Sequence, residues 1–294
     1  MFSLVKKNIN FDFLGLRTPA LIISSIFLLV SIVSFSTKGL NWGIDFSSGY
    51  VIQLKFNQNI NISEIRNSFQ KNGLNDSIIQ YYGTNKEVII KIKDDKDFKK
   101  TTINDFLNQS IKGEFKIMKL EFVGSQIGSE LREKGEWAML VALLSILVYI
   151  GFRFEFLYGI GAIMALIHDV IITLGVFSII QLQFDLSVLA AVLAVIGYSL
   201  NDTIVVFDRI RENTRTVKKN SFIDILNISI NQTLSRTIIT SLTTSFVLIS
   251  LLVFGGLAVK YFAIAMLIGI FIGTYSSIFI ASTSLHLLGI EQEK

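Results

Sequence analysis

Six apolar runs constrain this chain more than any other feature: residues 19–36, 137–152, 157–180, 186–207, 237–254 and 260–285. A helix needs about 20 apolar residues, within a range of about 17–25, to cross the hydrocarbon core of a bilayer. Each run is near that length, and in lipid every backbone polar group must be bonded within the segment, which a helix does. Composition agrees: 51% of the residues are hydrophobic and 17% charged, with mean hydropathy +0.57. Soluble domains carry about 25% charged residues. The fold class that follows is an integral membrane α-helical bundle with six transmembrane helices.

The formal net charge of +4 does not point to nucleic acid, because the basic residues sit in a few loops beside the apolar runs and not along one face. Lys6, Lys7 and Arg17 precede the first run, Arg153 separates the second from the third, and Arg209, Arg211, Arg215, Lys218 and Lys219 follow the fourth. The loops at 181–185 and 255–259 have no basic residue, and Lys294 ends the chain. Counting positive charge inside places both termini, the 208–236 loop and the 286–294 tail in the cytoplasm, and the 37–136 segment outside. Ser34, Phe35 and Ser36 resemble a small-x-small cleavage site. The long basic leader and the unbroken apolar run favour a retained first span, so residues 1–36 are cytoplasmic N-terminus plus helix. The chain has no cysteine and only His168 and His286 as histidines. Disulfides, thiolate metal sites and cysteine nucleophiles are excluded, and no GxxxxGK[ST] phosphate loop occurs. Neither an enzyme, a metal nor a cofactor is expected.

The 37–136 segment reads as soluble, with strands at 50–56, 77–82, 87–93 and 115–122 and helices at 62–72 and 95–110. Alternation through Val88, Ile89, Ile90, Lys91 and Ile92 is strand-like. The order βαββαβ is the split-βαβ, ferredoxin-like arrangement. This small external α+β domain has no nucleophile or ligand constellation and reads as a docking module. Residues 137–285 supply the other five helices.

Inside the fourth run stands Asp202. A carboxylate at membrane depth costs about 2.5–3.5 kcal/mol on insertion scales, and such groups face a protein interior or a water-filled path. Arg236, which opens the fifth run, is its expected partner, because a guanidinium on a long stem reaches that depth. The pair admits two readings: a static pin between two helices, or a switch in which protonation of Asp202 breaks and remakes the pair. Thr237, Thr240, Ser241, Thr243, Thr244 and Ser245 follow, as a path for ordered water or as hydroxyl glue between helices. Ala190, Ala194, Tyr198 and Asp202 recur at i+4 and read as one row that a neighbouring helix approaches. His168 and Asp169 lie midway along the third run. Adjacent positions point about 100° apart on a helix, so the two are expected to bond different neighbours, as relay or as packing. Gly269 and Gly273 read as a helix contact. Gly43, Asp45 and Gly49 read as a turn with a capping aspartate, or as a hinge, the glycines permitting unusual backbone angles.

These residues carry a resemblance. Residues 197–213, GYSLNDTIVVFDRIREN, resemble the fourth-span signature of the SecF family of bacterial protein translocase subunits, in the RND superfamily. Residues 168–175, HDVIITLG, resemble its third-span motif, and Gln232 to Ser241 the start of its fifth span. Gly43-Ile44-Asp45-Phe46 with Gly49 is similar to its motif after the first span, with Ser48 where a second glycine is usual. The resemblance implies an RND-type half completed by the homologous subunit SecD in the bacterial inner membrane. It implies association with the SecYEG channel and YajC, contact with unfolded exported preproteins and membrane lipids, and use of the proton gradient to complete translocation. Proton coupling would rest on Asp202 and Arg236, with Asn201 beside them. A structural subunit without proton conduction is the alternative. A small-molecule exporter of the RND kind would have a larger external region and both halves in one chain.

Overall fold

The computed structural model describes residues 10–74, 77–82, 84–93, 103–111, 113–154, 156–217 and 221–289. Lys6, Lys7, Lys218, Lys219 and Lys294 lie outside these residues, as do the first turns of the helix expected at 95–110 and the end of the tail. In chain order the elements are α1 (Arg17–Lys38), β1 (Asn41–Trp42), β2 (Gly49–Phe56), α2 (Ile62–Lys71), β3 (Ile78–Tyr82), β4 (Thr84–Lys93), α3 (Ile103–Ser110) and β5 (Phe115–Val123). They continue with α4 (Ser125–Arg153), α5 (Phe156–Ile180), β6 (Gln183–Phe184), α6 (Leu186–Thr216), α7 (Phe222–Phe254) and α8 (Leu257–Ser276). A π-helical segment, Ser277–Ala281, carries α8 into α9 (Ser282–Leu287). The chain forms two compact units, residues 1–41 with 137–294, and residues 42–136.

Six helices are long and apolar enough to cross a membrane, and each contains one of the apolar runs. Hydropathy marks the lipid-facing length and not the helix length. A loop at 208–236 is not what forms: α6 runs on to Thr216 and α7 begins at Phe222. Buried Ile210, Ile225, Leu226 and Ile230 keep an apolar stripe through these polar extensions. A capping box starts α7, with the Ser221 hydroxyl accepting from Asp224 N–H while the Asp224 carboxylate accepts from Ser221 N–H. Such a box satisfies two otherwise orphaned donors.

The six spans divide by burial. In α5, α6 and the α8–α9 span, 50–56% of the most apolar window is buried, against 11–22% in α1, α4 and α7. The first three are the interior of this unit and the others present apolar side chains outward. Glycines let the interior close. A Cβ on Gly269 of α8 would lie 2.1 Å from Val195 Cγ2 of α6, and one on Gly273 would lie 3.0 Å from Ser199 Cβ. A Cβ on Gly175 of α5 would meet Ser31 Oγ of α1 at 2.0 Å. The Gly269/Gly273 row is therefore the α8–α6 contact.

In the 42–136 unit an antiparallel sheet has the order β3-β4-β2-β5. Alternation sends Ile52, Leu54 and Phe56 of β2 and Val88, Ile90 and Ile92 of β4 to one face. There they form a core with Ile65 and Phe69 of α2 and Phe106 and Leu107 of α3. The element order is strand, helix, two strands, helix, strand.

Candidate functional site

Asp202 lies on α6 with 3% of its surface exposed, and among the described residues its Oδ2 has no hydrogen-bond partner. An unsatisfied buried polar atom costs about 1–3 kcal/mol, more when charged, so this oxygen is one the described residues do not complete. The expected contact with Arg236 does not form. No ion pair joins the two among the described residues; Arg236 is exposed, near enough to act on Asp202 only as an attracting charge through space. Asn201, one position before Asp202, is exposed as well. On α6 the expected row does not hold as one face, because i+4 spacing advances about 40° per step beyond a full turn. Ala190 and Ala194 are exposed, Tyr198 is half-buried and Asp202 buried, so the expected row turns from the surface into the interior.

The hydroxyls of α7 are mostly satisfied by their own helix. Thr240 Oγ1 donates to the carbonyls of Arg236 and Thr237, Thr243 Oγ1 to Ile239 and Thr240, and Thr244 Oγ1 to Thr240. Between Thr237 and Ser245, two bonds cross between helices among the described residues: Tyr198 Oη to Thr244 Oγ1 at 3.4 Å, and Ser241 Oγ with Thr274 Oγ1 at 2.7 Å. Thr203 Oγ1 and Thr237 Oγ1 are buried without partners among the described residues, as Asp202 Oδ2 is.

A second polar centre lies on α5. His168 and Asp169 are 4% and 1% exposed, and contrary to the expectation from helical phase they bond each other, Nδ1 to Oδ1 at 2.9 Å. The 100° angle sets the directions of the two Cβ atoms, but both polar atoms lie beyond Cβ and the side chains lean together. Asp169 Oδ2 accepts from Ser199 Oγ of α6 at 2.5 Å and from Ser276 Oγ of α8 at 2.7 Å. One carboxylate thus ties the three interior helices. The Tyr275 ring stacks on the imidazole, and its hydroxyl donates to Ala20 O while accepting from Ser24 Oγ of α1. Sequence reasoning missed Ser199, Tyr275 and Ser276. Their signal was present as hydroxyls inside apolar runs, four of them close together at Thr274, Tyr275, Ser276 and Ser277.

At the cytosol-proximal ends expected from charge, Arg153 Nη2 holds both oxygens of Asp208 at 3.0 and 3.2 Å, joining α4 to α6. Asn213 of α6 is buried and donates to Ser229 Oγ and Gln232 Oε1 of α7. In the 42–136 unit the turn after β1 closes on Gly43 O, which accepts from Phe46 N, Ser47 N and Ser47 Oγ. Neither Gly43, Gly49 nor Ser48 has positive φ, so left-handed freedom is not what this motif supplies. Gly49 is needed for space: a Cβ there would lie 2.4 Å from Ile92 O.

A bundle of six helices long and apolar enough to cross a membrane among the described residues, with an α/β unit between its first two spans, defines a polytopic α-helical membrane protein. The family model "Protein export membrane protein SecD/SecF, C-terminal" matches residues 88–291, and that of the SecD/SecF GG motif matches residues 33–60. Protein translocase subunit SecF of Vibrio alginolyticus is 45% identical over 100% of this chain and 94% of its own length. The SecF subunit of Calditerrivibrio nitroreducens is 45% identical over 97% and 96%. The crystal structure of SecDF, a translocon-associated membrane protein from Thermus thermophilus, matches 97% of this chain with a TM-score of 0.81 at 34% identity. This chain spans 39% of that longer chain. The chain belongs to the SecD/SecF family, among the SecF translocase subunits, and its helices form one RND-type half.

Proposed function

We propose that this chain is an accessory subunit of protein export which, paired with SecD, uses the proton gradient across the bacterial inner membrane to help preproteins finish crossing. In this reading Asp202 is the coupling carboxylate, and Arg236 and Asn201 act beside it. The 42–136 unit is an external, ferredoxin-like domain on the face where chains emerge from the SecYEG channel, with YajC as a further neighbour. The observation that carries the reading is a buried carboxylate oxygen without a partner among the described residues, on a helix that exposes Asn201 and faces one that exposes Arg236. A guanidinium facing lipid is costly, so a second protein half is the natural cover for that face. The absence of a contact ion pair weighs against the alternative of a static pin. The membrane potential supplies about 2.3 kcal/mol per charge per 100 mV, modest for one proton, so repeated cycles would be used.

The test is Asp202→Asn in the assembled complex, following completion of preprotein export into vesicles with and without an imposed proton gradient. Loss of the gradient-dependent stimulation with assembly intact is expected. Stimulation equal to that of the unmodified complex would reduce Asp202 to a structural residue.

A further inference from the structure

His168 and Asp169 have no part in the coupling reading above, yet they are the most thoroughly bonded acid–base pair in the helical unit. Asp169 accepts from Ser199 and Ser276 at Oδ2, and His168 Nδ1 stands 2.9 Å from its Oδ1. Two hydroxyl donors converging on Oδ2, with an imidazole nitrogen facing Oδ1, fit an ionised carboxylate, which is acceptor-only. An ionised Asp169 requires the hydrogen of a neutral imidazole to sit on Nδ1. The other ring nitrogen, Nε2, then holds a free lone pair, and it is buried with no partner among the described residues. A buried acceptor left unmade is costly, and here one event removes the cost.

We propose that the His168–Asp169 pair is a second proton-binding site of the helical unit, separate from Asp202, with His168 Nε2 as the atom that takes the proton. The proton enters the Nε2 lone pair, no covalent bond breaks, and none of the three bonds to Asp169 has to change. The pair goes from one negative charge to neutral. Tyr275, whose ring lies 6.2 Å from the imidazole at 26°, places an aromatic face beside it. Among the described residues, bonded and ring contacts around the pair come from three other helices. α6 contributes Ser199 and, three residues on, the titratable Asp202; α8 contributes Tyr275 and Ser276; α1 contributes Ser24 on the far side of Tyr275. On α5 itself Thr173 is buried. Among the described residues no lysine or arginine pairs with Asp169, so the imidazolium would be its counter-ion. Because Ser276 directly precedes the π-helical Ser277–Ala281 segment, and π-bulges mark functional positions in helices, the charge change falls where α8 is irregular.

The chain has two histidines, so His286→Gln leaves a single imidazole. The experiment is nitrogen NMR of the full chain, labelled at histidine, in lipid nanodiscs across about pH 5 to 8, the interval in which imidazole ordinarily titrates. The expected spectrum shows the neutral ring protonated at Nδ1 at the alkaline end and a ring protonated at both nitrogens at the acid end. Asp169→Asn is expected to abolish the step, because the imidazolium would lose its counter-ion. Ser276→Ala, which keeps the carboxylate, is expected to retain it. A ring that stays neutral throughout, or that carries its neutral hydrogen on Nε2, overturns the proposal on the unmodified site, whatever the variants do. So does a step that survives Asp169→Asn or vanishes in Ser276→Ala.

Discussion

Gly269→Ala adds one methyl group where α8 crosses α6, and the structure sets its cost. The new Cβ would stand 2.1, 2.5 and 2.9 Å from Cγ2, Cγ1 and Cβ of Val195. Carbon atoms rest about 3.5–4.0 Å apart, so the closest contact is short by about 1.4 Å. Val195 is 1% exposed and β-branched, with one strongly preferred rotamer in a helix, so it has nowhere to turn and the helices must part. Overpacking of this kind costs about 1–3 kcal/mol. Parting has a second consequence, since the Ser276–Asp169 bond of 2.7 Å joins α8 to α5 just beyond the same crossing. A shift of that size takes it outside the about 3.0 Å reach of an O–H···O hydrogen bond. Alanine also gains about 1 kcal/mol of helix propensity over glycine, which would hide part of the loss. Gly197→Ala removes this ambiguity, because a Cβ at Gly197 meets nothing within 4 Å while gaining the same propensity. Unfolding free energies of the two variants, measured by denaturant titration of the isolated chain in micelles, should differ by about 1–3 kcal/mol, with Gly269→Ala the weaker. Val195→Ala should recover part of the difference in the double variant. Two variants within about 0.5 kcal/mol of each other, the range of ordinary surface substitutions, would refute a close-packed α6–α8 crossing.

Asn213→Ala leaves Ser229 and Gln232 without the donor that ties α6 to α7. A loss of about 1–3 kcal/mol is expected for such a buried group, measurable in the same titration against the exposed Thr216→Ala as reference. Topology is testable because the chain has no cysteine, so each introduced thiol is single. In cells with a permeable outer envelope, a membrane-impermeant maleimide should label Gln58→Cys directly and Thr216→Cys only after lysis. The reverse pattern would invert the orientation read from the basic loops.

Six spans were legible because lipid removes alternatives: an apolar run of bilayer length has one way to satisfy its backbone. The strands were legible at Val88, Ile90 and Ile92 because a sheet with one buried face writes its period of two into the sequence. Helix ends were less legible, since α6 and α7 continue as amphipathic helices where hydropathy has already fallen. Asp202 stood out by its expense. Its relation to Arg236 did not, because spacing fixes depth along two helices but not the rotation of each about its axis. The His168–Asp169 bond failed for the same reason on a smaller scale: Cβ directions exclude less than they suggest when both polar atoms lie further along the side chain. Gly49 was legible as important but for the wrong cause, backbone angle in place of the carbonyl of Ile92.

The separation of Asp202 from Arg236 bears on whether such a pair can be driven. At an effective dielectric constant of about 20, unit charges 4 Å apart attract by about 4 kcal/mol, and the attraction falls inversely with distance. A membrane potential of 100 mV supplies about 2.3 kcal/mol per charge. A contact pair would therefore hold its carboxylate against a proton with more free energy than one such step provides. At about twice the contact distance the attraction is about 2 kcal/mol, and the two quantities become comparable. Asp202 is buried and Arg236 lies on the exposed side of its helix, with no contact ion pair between them among the described residues. Whatever covers Arg236 then sets how strongly it pulls, because excluding water from around the guanidinium raises the attraction and admitting water lowers it.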